Sequence, residues 1–467
     1  MPDKYIAVGL FVVAAVTFSW FYGGAGWNHD AQFDLTRALV ERHTLYIDGY
    51  EDTGDVSAGV GGHKYVNRAP GVSFLAAVPY VFVRNQWFCT AATCGVCGAL
   101  IAPILYLHGR RRYGARPRDA VWIALAVVFG TIIFAYSTML FVHVPAALFL
   151  LLAVVWLDER PFAAGAAAGV ATLCFYVCGA AALLLAVECG GHAAAVRAPA
   201  RPAHSTLRFI AGGAPFAILL GLYHWACFGS PFRTAVESSA QWTERGLLFG
   251  VLRLPRLDAL LGITVSPYRG LFFASPFLLF GVAALFVKGA RRAPLPIVGG
   301  ISAIFLLVTA GFNGWNGGWA FGARYLTPIV PILGVAMLAA ARNAPRIVRA
   351  LWLVTALVSI AINFVATAVD AMPSDALPNP IVRYQFPAFL RGRIPEETRK
   401  AFPWYASRKV DKVALPREAR NLGERMFGEG TRASVVPVAL WLAAGSALLL
   451  IRAREPLPRQ SLPPRTP

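Results

Sequence analysis

"YIAVGLFVVAAVTFSWF" (Tyr5–Phe21), followed after a short gap by "WNHDAQFDLTRALVERH" (Trp27–His43), decides how this chain is read. The first segment carries no charge and approaches the roughly 20 residues that cross a bilayer. The second places Asp30, Asp34, Arg37 and Glu41 at i, i+4, i+7 and i+11, which is one stripe of a helix. With Asn28 as its N-cap, that helix runs to about Arg42 along the outer membrane surface. Phe33, Leu35 and Leu39 point elsewhere, toward lipid or protein. Taken alone, the charged stripe reads as a solvated face with i,i+4 pairing. The rest of the chain gives it a second meaning.

Hydrophobic residues make up 57% of the 467 positions and charged residues only 14%, against roughly 25% charged in a soluble protein. The apolar residues come in continuous blocks at about 5–21, 69–83, 87–108, 120–136, 140–157, 162–187, 209–228, 271–287, 295–310, 325–341, 351–369 and 435–451. Such blocks predict an all-α polytopic membrane protein of about twelve transmembrane helices, with large external loops that carry interfacial helices. The alternating segments of a β-barrel are missing from the pattern. The first block reads as an uncleaved span, because no small-residue cleavage site follows it.

The net charge of +19 comes from 43 Lys+Arg against 24 Asp+Glu. Basic residues cluster in short loops beside spans, as the positive-inside rule requires. Arg110–Arg112 with Arg116 and Arg118 form one cluster; Lys288, Arg291 and Arg292 another; Arg342, Arg346 and Arg349 a third; Arg452 and Arg454 a fourth. All are expected on the cytoplasmic side. No basic face with interleaved aromatics points to nucleic acid. Seven cysteines lie almost entirely in apolar runs. Cys94-Gly95-Val96-Cys97 has the C-x-x-C form without a surrounding βαβ pattern, so these thiols read as packing residues.

Alternating sides from a cytoplasmic N-terminus would put the Arg110 loop outside. The favoured repair lets block 69–83 dip into the outer interface and splits block 162–187 into two short crossings near Gly169 or Gly179. One transmembrane domain then spans 1–452, with external loops at 22–68, 229–269 and 370–432. The Pro- and Arg-rich tail, 453–467, reads as disordered and cytoplasmic.

The first external loop adds Asp48, Glu51, Asp52 and Asp55 to the acids of the helix. Gly59, Gly61 and Gly62 lack the G-K-[ST] of a phosphate-binding P-loop. His63, Lys64, Tyr65 and Arg68 then crowd the approach to Pro70. Tyr268 and Arg269 in "SPYRGLFFASP", and Arg324 and Tyr325 in "FNGWNGGWAFGARYLTP", stand at two further span mouths. A lone Arg there is a snorkelling anchor. Recurring arginines opposite a loop of acids fit a phosphate gripped at headgroup depth. Asp258, Glu237 and Glu244 of the second loop read as solvated charges, and His143 as a hydrogen-bonded core histidine.

This pattern resembles the GT-C membrane glycosyltransferases that use polyprenyl-phosphate sugars, the superfamily of protein O-mannosyltransferases and the aminoarabinose transferase of lipid A. The resemblance rests on a first span, an acid-bearing external helix and a basic-Pro motif, here Asn67-Arg68-Ala69-Pro70-Gly71, with "YSTMLFVH", "YRGLFFASP" and "WNGGWAFGARYLTP". It implies an inverting transfer of sugar from polyprenyl phosphate to an extracytoplasmic glycan, lipid or protein. An acid of the first loop would be the general base, and Arg68 would bind phosphate. Alignment by distance from the first span favours Asp30 as that base; Asp34 and Asp55 are the alternatives. Alignment on Arg37 puts Asn28 at the base position, and Asn67 stands where relatives carry an acid. Arg37, His63, Lys64, Tyr65, Tyr268, Arg269, Arg324 and Tyr325 are the remaining binding candidates. No metal ligand cluster is expected and no cofactor is called for. The resemblance places the protein in a bacterial inner membrane, with lipid bilayer, lipid-linked donor and acceptor as partners. The competing class is a transporter or lipid flippase, against which stand the few mid-span charges and the lack of an internal repeat.

Overall fold

The computed structural model describes residues 2–24, 26–50, 53–196, 202–239, 243–244, 247–287, 295–396, 420–428 and 430–453. Glu51, Asp52, the basic cluster at Lys288, Arg291 and Arg292, much of the third external loop and the tail from Arg454 lie outside the described residues.

Helices dominate. We label them α1 (Asp3–Trp20), α2 (Trp27–Arg37), α3 (Gly71–Phe82), α4 (Gln86–Tyr113), α5 (Pro117–Phe129), α6 (His143–Trp156), α7 (Pro161–Cys174), α8 (Cys178–Val196), α9 (Pro202–Phe228), α10 (Leu295–Gly311), α11 (Val330–Ala341), α12 (Arg346–Val369) and α13 (Val436–Arg452). Six helices among the described residues are long and apolar enough to cross a membrane: α1, α4, His204–Phe228 of α9, Arg324–Ala341 ending in α11, α12 and Arg432–Arg452 ending in α13. α3, α6, α7, Cys178–Gly190 and α10 are shorter apolar helices. The protein is an all-α polytopic membrane protein, as its sequence blocks predict.

The apolar stretch 162–187 divides between α7 and α8, with the break at residues 175–177, just before Gly179. α7 packs closely on α9 because glycines face the neighbouring backbone. A Cβ on Gly165 would lie 1.8 Å from the Phe209 carbonyl oxygen, and one on Gly212 would lie 2.0 Å from that of Phe162. Small residues of this kind let helices approach in a medium that supplies no hydrophobic drive between them.

Two features depart from a purely helical reading. Residues 56–66 form a hairpin, β2 (Val56–Ala58) against β3 (Lys64–Val66), closed by Gly61 and Gly62 at positive φ. A short β1 (Phe21–Tyr22) pairs with β4 (Arg420–Asn421). Both lie outside the candidate spans, where backbone groups missing from a helix need partners of their own.

Candidate functional site

α2 starts two residues earlier than expected, with Gly26 at the N-cap position and Asn28 inside the first turn. It continues through a π-helical turn, Ala38–Arg42, so the helical path does reach Arg42. Its acids are not solvated: Asp30 and Asp34 are buried, at 4% and 0% exposure. A row of polar side chains fastens α2 to α3. Gln32 donates from Nε2 to the Ala69 carbonyl at 3.3 Å, Ser73 Oγ donates to Gln32 Oε1 at 2.6 Å, and Thr36 donates to the Ser73 carbonyl at 3.4 Å. His29 is wholly buried and accepts the Leu140 backbone N–H at Nδ1, 3.1 Å away. Burial pushes its pKa down to about 3, since desolvation disfavours the imidazolium.

The basic-Pro motif is held by close backbone contact. A Cβ on Gly71 would lie 2.6 Å from the Leu173 carbonyl and 2.7 Å from the Cys174 nitrogen. The first turn of α3 therefore rests on the end of α7, and Arg68 comes to lie beside the α7–α8 break. Arg68 Nη2 donates to Asp55 Oδ2 at 2.9 Å, with the Asp55 side chain 3% exposed. Asn67 Nδ2 is 3.5 Å from Asp55 Oδ1, and its backbone N–H donates to the Asp55 carbonyl at 3.1 Å. Thr53 fixes the approach to Asp55: its Oγ1 accepts the Asp55 N–H and donates to the Trp27 carbonyl. The hairpin thus exists locally to return Asp55 onto Arg68.

A cavity of about 140 Å³ opens at this pair. Its polar wall is Asn28, Arg68 and His143; its apolar wall includes Phe175, Val177, Val308 and Phe312, and Tyr325 closes one side. Arg324 lies beside it, 7% exposed, with its guanidinium 5.5 Å from the Phe141 ring and 5.0 Å from the Tyr325 ring. Arg324 Nη2 donates to the Tyr325 hydroxyl at 3.2 Å. The arrangement can hold an anion against fixed guanidinium groups while an apolar chain runs along the other wall.

Of the residues singled out in the sequence, Asp55, Arg68, Arg324 and Tyr325 converge here. Others do not. Asp30 and Asn28 are two residues apart, about 200° around a helix, and it is Asn28 that faces the cavity. Asp30 instead accepts from Gln86 Nε2 at 3.3 Å, and Asp34 accepts from Arg37 at 3.3 Å. Arg37 also stacks on Tyr50, 4.1 Å from its ring. His63 lies against Asp48 at 2.6 Å and stacks on Tyr46 at 4.1 Å, at the hairpin tip beside the exposed Lys64. Tyr65 is buried against Phe228. Arg269 is 1% exposed and gives its donors to the backbone carbonyls of Asn316, Gly318 and Ala320. Tyr268 donates to the Asp375 carbonyl at 2.8 Å.

Two cavity residues carried little signal. Asn28 reads as a cap, and only the alignment on Arg37 marks it. His143 reads as a hydrogen-bonded core histidine, yet among the described residues neither ring nitrogen has a hydrogen-bond partner. Nothing in an apolar run announces that its one histidine will face a cavity.

The fold is that of a polytopic α-helical membrane protein, and it has likenesses among solved structures. Two solved structures carry the likeness: ArnT from Cupriavidus metallidurans in the apo state, at 14% identity and a TM-score of 0.52, covering 96% of this chain and 76% of that one; and the same protein bound to undecaprenyl phosphate, at 14% identity and a TM-score of 0.53, covering 96% and 77%. Arabinosyltransferase EmbB from Mycobacterium smegmatis aligns at 13% identity and a TM-score of 0.44, over 97% of this chain and 40% of its own. No family model and no curated protein matches the chain. At these identities the likeness is one of fold.

Proposed function

We propose that the protein is an inverting glycosyltransferase, moving a sugar from a polyprenyl-phosphate donor to an extracytoplasmic acceptor at the outer face of a bacterial inner membrane. The observation that carries this reading is the buried Asp55–Arg68 pair at a cavity polar on one side and apolar on the other. It sits in the fold of ArnT, which has been solved with undecaprenyl phosphate bound.

In the proposed reaction the acceptor O–H gives its proton to Asp55 as its oxygen bonds to the anomeric carbon. The bond from that carbon to the phosphate oxygen breaks, and the electron pair stays on the phosphate. Arg68, with Arg324 behind Tyr325, stabilises the charge that grows there, where fixed donors act most strongly. An incoming phosphate also competes with Asp55 for Arg68. That competition loosens the carboxylate only when donor is present. Asp55 is preferred to Asp30 and Asp34 because it is bonded to a cavity-lining cation. The reaction as proposed uses no metal, so turnover is expected to survive EDTA dialysis.

The test is sugar transfer by purified protein in lipid, with a panel of polyprenyl-phosphate sugars and candidate acceptors. Release of polyprenyl phosphate is followed in wild type, Asp55→Asn, Asp30→Asn and Asp34→Asn. Turnover lost only in Asp55→Asn, with donor binding kept, supports the assignment. Full turnover in Asp55→Asn moves the base elsewhere.

A further inference from the structure

We infer that His143 is a specificity-determining contact to the transferred group, and that this group is an uncharged, hydroxyl-bearing sugar. The inference rests on the proposed donor class and narrows it.

Several buried polar atoms lack hydrogen-bond partners among the described residues. Four side chains in and beside the one cavity contribute: Arg68 Nε, Arg324 Nε, Asn28 Oδ1 and both ring nitrogens of His143. Asn28, His143 and Arg324 are each less than 10% exposed, so bulk water does not serve them. A buried polar group without a partner is costly, and native structures rarely leave several together. Concentrated at one cavity, they describe what the cavity receives.

The two arginine nitrogens are donors and suit phosphate oxygens. Asn28 Oδ1 is an acceptor, and a neutral imidazole carries one donor and one acceptor. A phosphate diester has no hydrogen to give, so it cannot satisfy either acceptor. The bound molecule must therefore bring donors of its own beside its anion. A sugar hydroxyl both donates and accepts, and so matches the two-sided demand of His143. Aromatic rings frame the imidazole at 5.2 to 6.1 Å: Phe175, Tyr325, Tyr136 and Phe141. They fix its plane, and Phe175 and Tyr325, which line the cavity, offer apolar faces to a sugar ring.

An ammonium would also donate, but no charge present balances it. Asp55 is already paired with Arg68, the donor phosphate offsets Arg324, and no carboxylate lines the cavity among the described residues. An ammonium there is a buried positive charge without a partner, which is costly. The geometry thus selects a neutral sugar over an amino sugar.

Binding of three probes to the protein in lipid nanodiscs tests this: undecaprenyl phosphate, its glucose ester and its glucosamine ester. Wild type is expected to bind the glucose ester more tightly than the bare carrier and the glucosamine ester less tightly than the glucose ester. His143→Ala is expected to bind the bare carrier within about twofold of wild type and to lose about tenfold on the glucose ester, the scale of one or two hydrogen bonds. His143→Gln, which keeps a donor and an acceptor, is expected to recover most of that loss. A merely structural histidine would weaken carrier and ester alike and would not be rescued by glutamine. Equal weakening, or tighter binding of the glucosamine ester by wild type, overturns the inference while leaving the carrier reading in place. Failure of wild type to bind bare undecaprenyl phosphate removes the carrier reading, and this inference with it.

Discussion

Arg68 and Arg269 stand at equivalent places in the sequence, each a cation at the mouth of an apolar stretch, and they end in opposite conditions. Arg269 is wholly buried with its guanidinium spent on three carbonyls of the 316–320 loop. Arg68 makes one ion pair, and its Nε has no partner among the described residues. The region around each differs in the same sense. The first loop buries Asp30, Asp34 and Asp55 and joins the last of them to a cavity-lining cation. The second loop fastens itself with Arg269 and leaves Arg253–Glu244 and Arg256–Asp258 as pairs at the surface. A cation with all three nitrogens bonded holds a fold; a cation with a nitrogen left over can hold a ligand.

The largest expected effect breaks the comparison at its active end. Asp55→Asn is expected to lower turnover by about 10²–10⁴-fold, the range of general-base assistance. Asp34→Asn, whose carboxylate accepts from Arg37 away from the cavity, should leave the chemical step within a few-fold. Single-turnover rates at saturating donor separate the two; equal losses would mean that burial rather than chemistry made Asp55 important.

Next comes one substitution made twice. Arg269→Lys loses the fork that reaches three carbonyls at once, and is expected to cost about 2–3 kcal/mol of stability as buried acceptors lose donors. A thermal-shift assay reads this as a lower Tm, with undecaprenyl phosphate affinity of the folded protein kept. Arg68→Lys is expected to do the reverse: a small change in Tm and about tenfold weaker carrier binding, since a point charge replaces a two-pronged grip. If both variants lose Tm and neither loses affinity, the distinction between pin and ligand-holder fails.

How much of this could be read from the sequence differs by residue. The six long apolar helices were legible because bilayer-crossing segments write their length directly into composition. The break at residues 175–177 was legible only to within a few residues, since its cause is packing of α3 and α9 on α7 rather than a local signal. Arg68 was marked by its Pro motif. Asp55 was one acid among several, because what singles it out is a hairpin closed by Gly61 and Gly62, and the small hairpin was hidden in a loop rich in glycine. Asp30 drew the eye by its distance from α1, but helix phase turns Asn28 rather than Asp30 toward the cavity. Three-dimensional direction, not residue type, was the missing quantity.

A smaller effect concerns the anchoring of α2. His29 has a folded pKa of about 3, lowered by burial, against roughly 6.5 when unfolded. As pH falls, the unfolded chain takes the proton first, so the contribution is complete above about pH 6.5 and is lost from there toward pH 3. At pH 5 the loss amounts to about 2 kcal/mol. Wild type should therefore show a falling Tm from pH 7 to pH 5 that is flatter in His29→Gln. Parallel pH profiles in the two proteins would show that His29 does not titrate with unfolding.

The smallest effect lies at the exposed end of the comparison. Arg256 and Asp258 form an ion pair near the start of the helix Leu257–Thr264, with side chains 47% and 57% exposed. The carboxyl of Asp258 is held below its usual range first by its hydrogen bond from Arg256. Water and salt screen such a pair, and holding two long side chains in one geometry cancels much of its attraction. Arg256→Gln is therefore expected to change neither Tm nor sugar transfer measurably at physiological ionic strength, in contrast to either substitution at Arg68 or Arg269. The informative measurement is turnover across acceptors of different charge. A loss confined to acidic acceptors would make the second loop an acceptor-docking surface and would move Arg256 from the solvated side of the comparison to the functional one. Unchanged turnover across the series leaves the proposed chemistry with the first loop and the cavity it closes.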